Sequence, residues 1–407
     1  MSAIFLNQIW LSIYPVAAVS SQSLLDLVTF FMFFTTIVIL YRSREKIDFK
    51  RIGIEWAVLG YLIVIALGFK FNASPDAEWQ NSVIKFSWLI NIYILIYTFQ
   101  TLSFNSIKVI QVLSVLSLGP TVYSLISYLN GLDLITNRDN DRITGLVNSS
   151  TYHAHGNAVL FVILVGCLYF SIRKLSRAWM FFSLFSTFLL GLSIFLTFTR
   201  GIWISIFASS MMMLFYLDWK KMLKIFLTSV VLFFLAFQYW GKFKERILKT
   251  NVKSNDERVS LFKLNVQIWK EYPLLGIGYG ENLRRNREYW DRPEWNKPPG
   301  YLESHAHNQF LNVLATTGVF GLFFFSLIFG FFFKKNFGLI RKTNQVENPE
   351  RRAILIICFW AQLEFVIGCL TDVSFEYAKI RALIILVWAL LIAIERKADL
   401  IIENRHA

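Results

Sequence analysis

HNQFLNVLATTGVFGLFFFSLIFGFFF, residues 307–333, is a polar pair followed by an apolar run long enough to cross a bilayer. The run comes directly after a long hydrophilic segment, so His307 sits where the chain re-enters a membrane. A titratable imidazole at that surface, at the mouth of a basic loop, points to chemistry there.

Outward from this stretch the same pattern repeats. The chain has 407 residues, 55% of them hydrophobic and 40 of them Phe, and a mean hydropathy of +0.49. Apolar runs lie at about 4–20, 24–41, 54–70, 83–100, 107–128, 156–172, 178–198, 201–217, 224–240, 308–333, 353–370 and 379–394. They predict an all-α polytopic membrane protein of about twelve transmembrane helices. The first run contains Asn7, Gln8 and Pro15, and it lacks the charged start and cleavage site of a signal peptide. No segment reads as a separate soluble domain, since the one large insertion, 241–304, is too short and too poor in core residues.

Basic residues give the orientation. Clusters at Arg42 to Arg51, Arg173 to Arg177, Lys220 to Lys224 and Lys334 to Arg352 all follow even-numbered runs, which predicts that both termini are cytoplasmic. The alternate short loops carry Asp76, Glu78, Asp133, Asp139, Asp141, Asp372 and Glu376 and are expected to face outward. The net charge of +14 is then a topology signal plus affinity for anionic membrane lipids, and no nucleic-acid partner is needed to explain it.

Cys167, Cys358 and Cys369 all lie in or at the ends of apolar runs, so no disulfide framework or thiolate metal site is expected. Two His-Ala-His triplets, 153–155 and 305–307, superficially resemble metal sites. Read as irregular loops with no carboxylate at ligand spacing, they make weak ligands, and no metal or other cofactor is expected. Within the large loop, residues 258–269 place apolar side chains at 259, 261, 262, 266, 268 and 269, predicting an amphipathic helix capped by Asn255 or Asp256 and ended by Pro273 and the glycines of 276–280. Trp290, Trp295 and Tyr301 follow among charged residues and suit stacking on sugars or an interfacial aromatic belt.

Arg200 interrupts an apolar stretch between two runs with almost no loop, on the side where arginine is disfavoured. It reads either as functional or as an arginine snorkelling to lipid phosphate. Arg258 starts the loop helix, where a solvated face is the alternative. Two outward arginines and an outward histidine suit one problem. Arginine grips phosphate oxygens bidentately, and a neutral imidazole takes a proton from an attacking hydroxyl. Such a set can transfer a sugar from a lipid pyrophosphate.

On these residues the chain resembles the O-antigen ligases of the O-antigen ligase and polymerase superfamily. The family signature is met by His307, Asn308, Gly318 and Gly321; Thr197 to Arg200 resembles its Thr-x-Thr/Ser-Arg element, and Arg258 with Trp269 and 273–276 its loop-helix arginine. Residues 141–143 and 368–372 also resemble ligase segments. The resemblance implies helices 1–9 over 1–240, a periplasmic loop capping the site over 241–304, helices 10–12 over 305–394 and a cytoplasmic tail over 395–407. It further implies a bacterial inner-membrane enzyme, without metal, that transfers O-polysaccharide with inversion from undecaprenyl pyrophosphate to lipid A–core. His307, Arg200 and Arg258 would be catalytic; Asn308, Arg142, Trp290 and Tyr301 would bind substrate; Asp372 and His305 would support them. The alternatives are a polymerase joining lipid-linked units and a non-enzymatic flippase, which would place charges near mid-membrane; only Glu364 lies well inside an apolar run.

Overall fold

The computed structural model describes residues 3–43, 51–73, 88–101, 106–131, 142–147, 149–239, 241, 252–292, 305–343 and 348–406. All of its regular structure is helical, and the chain is an all-α polytopic membrane protein. The helices are α1 (Ala3–Ser20), α2 (Gln22–Ser43), α3 (Glu55–Phe71), α4 (Trp88–Thr101), α5 (Ser106–Leu129), α6 (Ser150–Ser171) and α7 (Arg177–Phe195). They continue with α8 (Arg200–Tyr239), α9 (Val252–Glu271), α10 (Asn282–Trp290), α11 (Gln309–Lys342), α12 (Pro349–Cys369) and α13 (Ala378–His406).

Over its described residues each apolar run falls on a helix, because in hydrocarbon only a helix satisfies every backbone group within its own segment. Two runs, 201–217 and 224–240, share α8, which is interrupted at Asp218, where φ is −163° and ψ 93°. Among the described residues, 8 helices are long and apolar enough to cross a membrane, fewer than the twelve expected. The described parts of α3 and α4 are only 17 and 14 residues long. Rows of Phe and Leu such as Leu27, Phe30 and Phe34 are exposed on the bundle's outside, as a lipid-facing surface requires.

Polar residues inside the bundle act as ties between helices. Asn7 is fully buried, donates to Thr36 and Thr98 at 3.3 and 3.2 Å, and accepts from Thr35 at 2.9 Å. The first run, with its polar Asn7, thus joins α1 to α2 and α4. Glu364, buried in α12, accepts from Ser205 of α8 at 2.9 Å.

The large loop is clamped to the membrane helix that follows it. α11 breaks at Gly318, where φ is 66° and ψ −169°. The freed backbone groups of α11 pair with residues 273–278: Val319 and Phe320 N–H donate to the carbonyls of Pro273 and Leu274, while Ile277 and Gly278 N–H donate to those of Ala315 and Thr316. The backbones approach so closely that a Cβ on Gly318 would lie 2.2 Å from the Leu274 carbonyl atoms, and one on Gly276 would lie 2.2 Å from the Thr316 carbonyl carbon. Above this clamp α9 lies on the start of α11, with Leu261, Leu264, Ile268, Tyr289, Trp290 and Ala315 in one small core.

The buried face of α9 is therefore 261, 264, 265 and 268, and Val259 and Phe262, placed on the apolar face by the sequence, are exposed. The helix also begins at Val252, so Asn255 and Asp256 lie inside it instead of capping it. Glu271 at its end accepts from Tyr289 and from Arg292 (2.9 Å), tying α9 to α10.

Candidate active site

Three irregular segments meet at one end of the bundle, and each is shaped by its own sequence. The first is the turn 305–308. Asn308 caps α11, its side chain accepting from Leu311 N–H at 2.9 Å while its amide donates to the Leu370 carbonyl at 3.1 Å. Just before the cap, His307 has φ 49°, a left-handed conformation that non-glycine residues seldom adopt.

That conformation is held by His305. The His307 N–H donates to His305 Nδ1 at 3.3 Å, and Tyr377 Oη lies 3.0 Å from His305 Nε2. The hydrogen-bond network thus assigns the Nε2–H tautomer to His305, with both ring nitrogens engaged.

The second segment is the turn 370–377 between α12 and α13. It carries Asp372, which is buried and whose Oδ1 accepts from Val373 N–H at 2.7 Å. The same oxygen lies 3.8 Å from His307 Nδ1 and 4.0 Å from His305 Nδ1. Those separations are longer than a hydrogen bond and become ion pairs only when an imidazole is protonated. Burial alone would raise the Asp372 carboxyl; His307, His155 and His305 outweigh it and hold the group well below the ordinary carboxylate range, so it stays ionised. From beneath, His155 Nδ1 meets Ser374 Oγ at 2.6 Å, and Phe375 N–H donates to Gln309 at 3.0 Å. The turn is thereby fixed to α6 and α11.

The third segment is 196–200, between α7 and α8. Phe198 has φ 52°; with His307 it is one of two non-glycine residues at positive φ among the described residues, and both adjoin this site. Strain of this kind persists only where its surroundings enforce it. Here Arg142 does so, donating to the Thr197 carbonyl at 2.7 Å and to Thr199 Oγ1 at 3.2 Å. Arg200 follows as the first residue of α8, partly buried. Gly201 packs so tightly on the second segment that a Cβ there would lie 2.5 Å from Thr371 Oγ1, placing the start of α8 beside Asp372.

Arg258 of α9 is partly buried, and its charge bears on His155, which also feels Asp372. The structure thus gathers His307, His305, Asp372, Asn308, Arg200, Arg258 and the Arg142-held turn around one end of α6, α8, α11 and α12. Trp290 is placed elsewhere, in the small core of the loop and only 9% exposed. Tyr301 and Trp295 lie outside the described residues. The first His-Ala-His triplet is inside helix α6 and not in a loop: His153 is buried against Ser193 and Asn157.

Sequence reasoning missed Tyr377, Ser374 and the depth of the Asp372 contact, because these residues are more than sixty positions from His307 and nothing local joins them. Local spacing likewise gives the 305–307 pair no carboxylate. In the fold Asp372 supplies one, and donor atoms of His305, His307 and Asp372 lie within 4.8 Å of one another, a set that can hold a cation. The His307 imidazole itself has Nδ1 buried toward Asp372 without a hydrogen bond, and its side chain is 16% exposed. Its accessible part therefore lies on the Nε2 side of the ring.

Residues 185–326 match the model of the family described as O-antigen ligase. The match covers α8, α9, α10, most of the site's loops and the clamp on α11. The chain matches no curated protein.

Proposed function

We propose, from the match of residues 185–326 to the O-antigen ligase family, that this chain transfers an O-polysaccharide from undecaprenyl pyrophosphate to a hydroxyl of lipid A–core. The observation that carries this reading is the convergence at one end of the bundle of a partly exposed His307, an ionised Asp372 and the elements that bear Arg200 and Arg258. In this reading that end is periplasmic, the termini are cytoplasmic, the membrane is the inner one, and 252–292 is part of a loop that caps the site.

The chemistry follows from the geometry. Asp372 orients the His307 ring through its Nδ1 side, leaving Nε2 as the proton acceptor. The 3.8 Å gap closes when substrate fills the site, as catalytic hydrogen bonds often do. The acceptor hydroxyl gives its proton to Nε2 while its oxygen attacks the anomeric carbon of the donor. The bond from that carbon to the pyrophosphate oxygen breaks, and undecaprenyl pyrophosphate leaves with the electron pair. A single displacement inverts the anomeric centre.

Arg200, at the N-terminus of α8, adds its charge to the positive end of that helix, and Arg258 approaches from the loop; together they stabilise the departing pyrophosphate. Arg142 acts through the 196–200 turn, and His305 through the backbone of His307. No step needs a metal, and a chelator is expected to leave transfer unchanged.

Reconstitution decides between this and its rivals. The protein in vesicles, given the lipid-linked glycan and lipid A–core, is expected to move glycan onto lipid A–core and release undecaprenyl pyrophosphate. A lengthened lipid-linked glycan with unmodified lipid A–core would make it a polymerase. Movement of glycan across the bilayer without a new bond would make it a transporter.

A further inference from the structure

The turn that presents His307 also gathers the donors of a metal ion. His307 Nδ1 is buried, makes no hydrogen bond and faces Asp372 Oδ1 across 3.8 Å, while His305 Nδ1 faces the same oxygen across 4.0 Å. Two imidazole nitrogens beside one carboxylate oxygen are the donors that Zn²⁺ takes at three corners of a tetrahedron, with water at the fourth. Mg²⁺ and Ca²⁺ prefer all-oxygen shells and fit such a set poorly.

The surroundings orient these donors. His305 carries its proton on Nε2 and donates it to Tyr377 Oη at 3.0 Å, so that its Nδ1 lone pair points toward Asp372. That outer contact is the kind that fixes the tautomer of a metal-binding imidazole. The bond His305 Nδ1 accepts from the His307 N–H is long, 3.3 Å, and yields to a metal. Asp372 Oδ1 is held in place by the Val373 N–H at 2.7 Å.

Coordination needs a modest contraction. Donors about 2.1 Å from Zn²⁺ stand roughly 3.4 Å from one another, and here they lie within 4.8 Å. The side chains of His305 and His307 are partly exposed, 14% and 16%, and lie in a turn, so both rings can swing inward.

We propose that Zn²⁺ binds His305 Nδ1, His307 Nδ1 and Asp372 Oδ1, and that this inhibits the protein. The inhibition rests on the transfer reaction proposed above; the binding rests on the donor geometry alone. In that reaction His307 carries its proton on Nδ1, toward Asp372, and Nε2 takes the proton of the acceptor hydroxyl. A metal on Nδ1 moves the ring's single proton to Nε2, where no second proton can be accepted. The ion also occupies the carboxylate that would stabilise the protonated ring. Metal binding and proton transfer therefore exclude each other, and the metal-free protein is the active one.

Two readouts test this on the full-length protein in vesicles. Co²⁺, as a spectroscopic stand-in, is expected to give the visible bands of a four-coordinate site with one ion per chain, to be displaced by Zn²⁺, and to give no such bands in H305N or D372N. Circular dichroism and monodispersity establish that each variant is folded. Zn²⁺ is expected to lower wild-type transfer by about a hundredfold, the scale of lost proton-transfer catalysis, with recovery on chelation and no effect of equal Mg²⁺. In H305N, compared with and without Zn²⁺, the half-inhibiting concentration is expected to rise about tenfold or more. Absence of the Co²⁺ bands in wild type, or their persistence in both variants, would overturn the site. Zn²⁺ that binds and leaves transfer unchanged or raises it would overturn the inhibition. Co²⁺ bands in a protein that transfers no glycan would support the site and contradict the transfer reading, whereas transfer without them would do the reverse.

Discussion

The two His-Ala-His triplets are identical in sequence and opposite in setting. His153 and His155 lie inside α6, almost wholly buried, against the hydroxyls of Ser193 and Ser374. His305 and His307 lie in a turn, partly exposed, with a backbone at positive φ and a buried carboxylate behind them. A helix residue spends its imidazole on packing and hydrogen bonds; a capped turn presents one to whatever arrives from outside. What separates the triplets is the element that carries them and the presence of an anion at Nδ1. His155 holds Ser374 in the turn that carries Asp372, so the first triplet supports the second instead of duplicating it.

Removing the anion is the strongest way to erase that distinction. Asp372→Asn keeps size and hydrogen bonding but leaves the His307 ring unoriented and its protonated form unstabilised. Transfer is expected to fall by about a hundredfold, within the range of proton-transfer catalysis, at unchanged membrane abundance. An Asp372→Asn variant within twofold of wild type would mean that His307 works without it. His155→Ala, in contrast, is expected to lower the amount of folded protein, measured by quantitative blotting of membranes, because it leaves Ser374 and the Asp372 turn unsupported.

The arginines test whether the exposed triplet faces a pyrophosphate. Lysine keeps the charge but loses the planar fork, so Arg200→Lys and Arg258→Lys are each expected to lose about tenfold or more in rate, roughly 1.4 kcal/mol of stabilisation. Arg284→Lys and Arg287→Lys, on the exposed face of α10, should be nearly silent in the same assay. Full activity of both inner variants would return Arg200 to lipid anchoring and Arg258 to a surface charge.

The difference between these sets also marks what the sequence could reveal. Apolar runs fixed the helices because the bilayer imposes length and helicity locally. Asn308 was legible for the same reason, since a cap reads its own next turn. The two signature glycines were legible as positions but not as causes: Gly318 is where α11 opens to receive 273–278, a contact across some forty residues. Asp372 carried no local mark of its partners, and the buried face of α9 depends on where α11 lies rather than on its own periodicity. Trp290 looked like a sugar platform because its neighbours are charged, while tertiary packing turned it inward.

Smaller effects sharpen the account within the second triplet and its cap. His305→Asn keeps an acceptor near the Nδ1 position for the His307 N–H and is expected to retain activity within a few-fold, whereas His305→Ala should lose more. Equal and complete loss in both, reversed by added zinc, would assign the His305, His307 and Asp372 cluster to a metal. At the end of α9, Arg292 holds the Glu271 carboxyl down at about 2, against an ordinary value of about 4.3. The lowered value means that this tether contributes above the ordinary range and weakens as pH falls from about 4 toward 2. Amide exchange in α10 is expected to rise over that window in wild type and to be insensitive to it in Glu271→Gln.

In the proposed reaction the decisive step is the transfer of the acceptor hydroxyl's proton to His307. It is tested most directly by the transfer rate of His307→Ala in vesicles, per folded molecule, with and without added imidazole. The predicted result is a loss of about 10²–10⁴-fold, partly recovered by imidazole in His307→Ala and not changed by imidazole in wild type. Transfer by His307→Ala at near wild-type rate without imidazole would contradict the account.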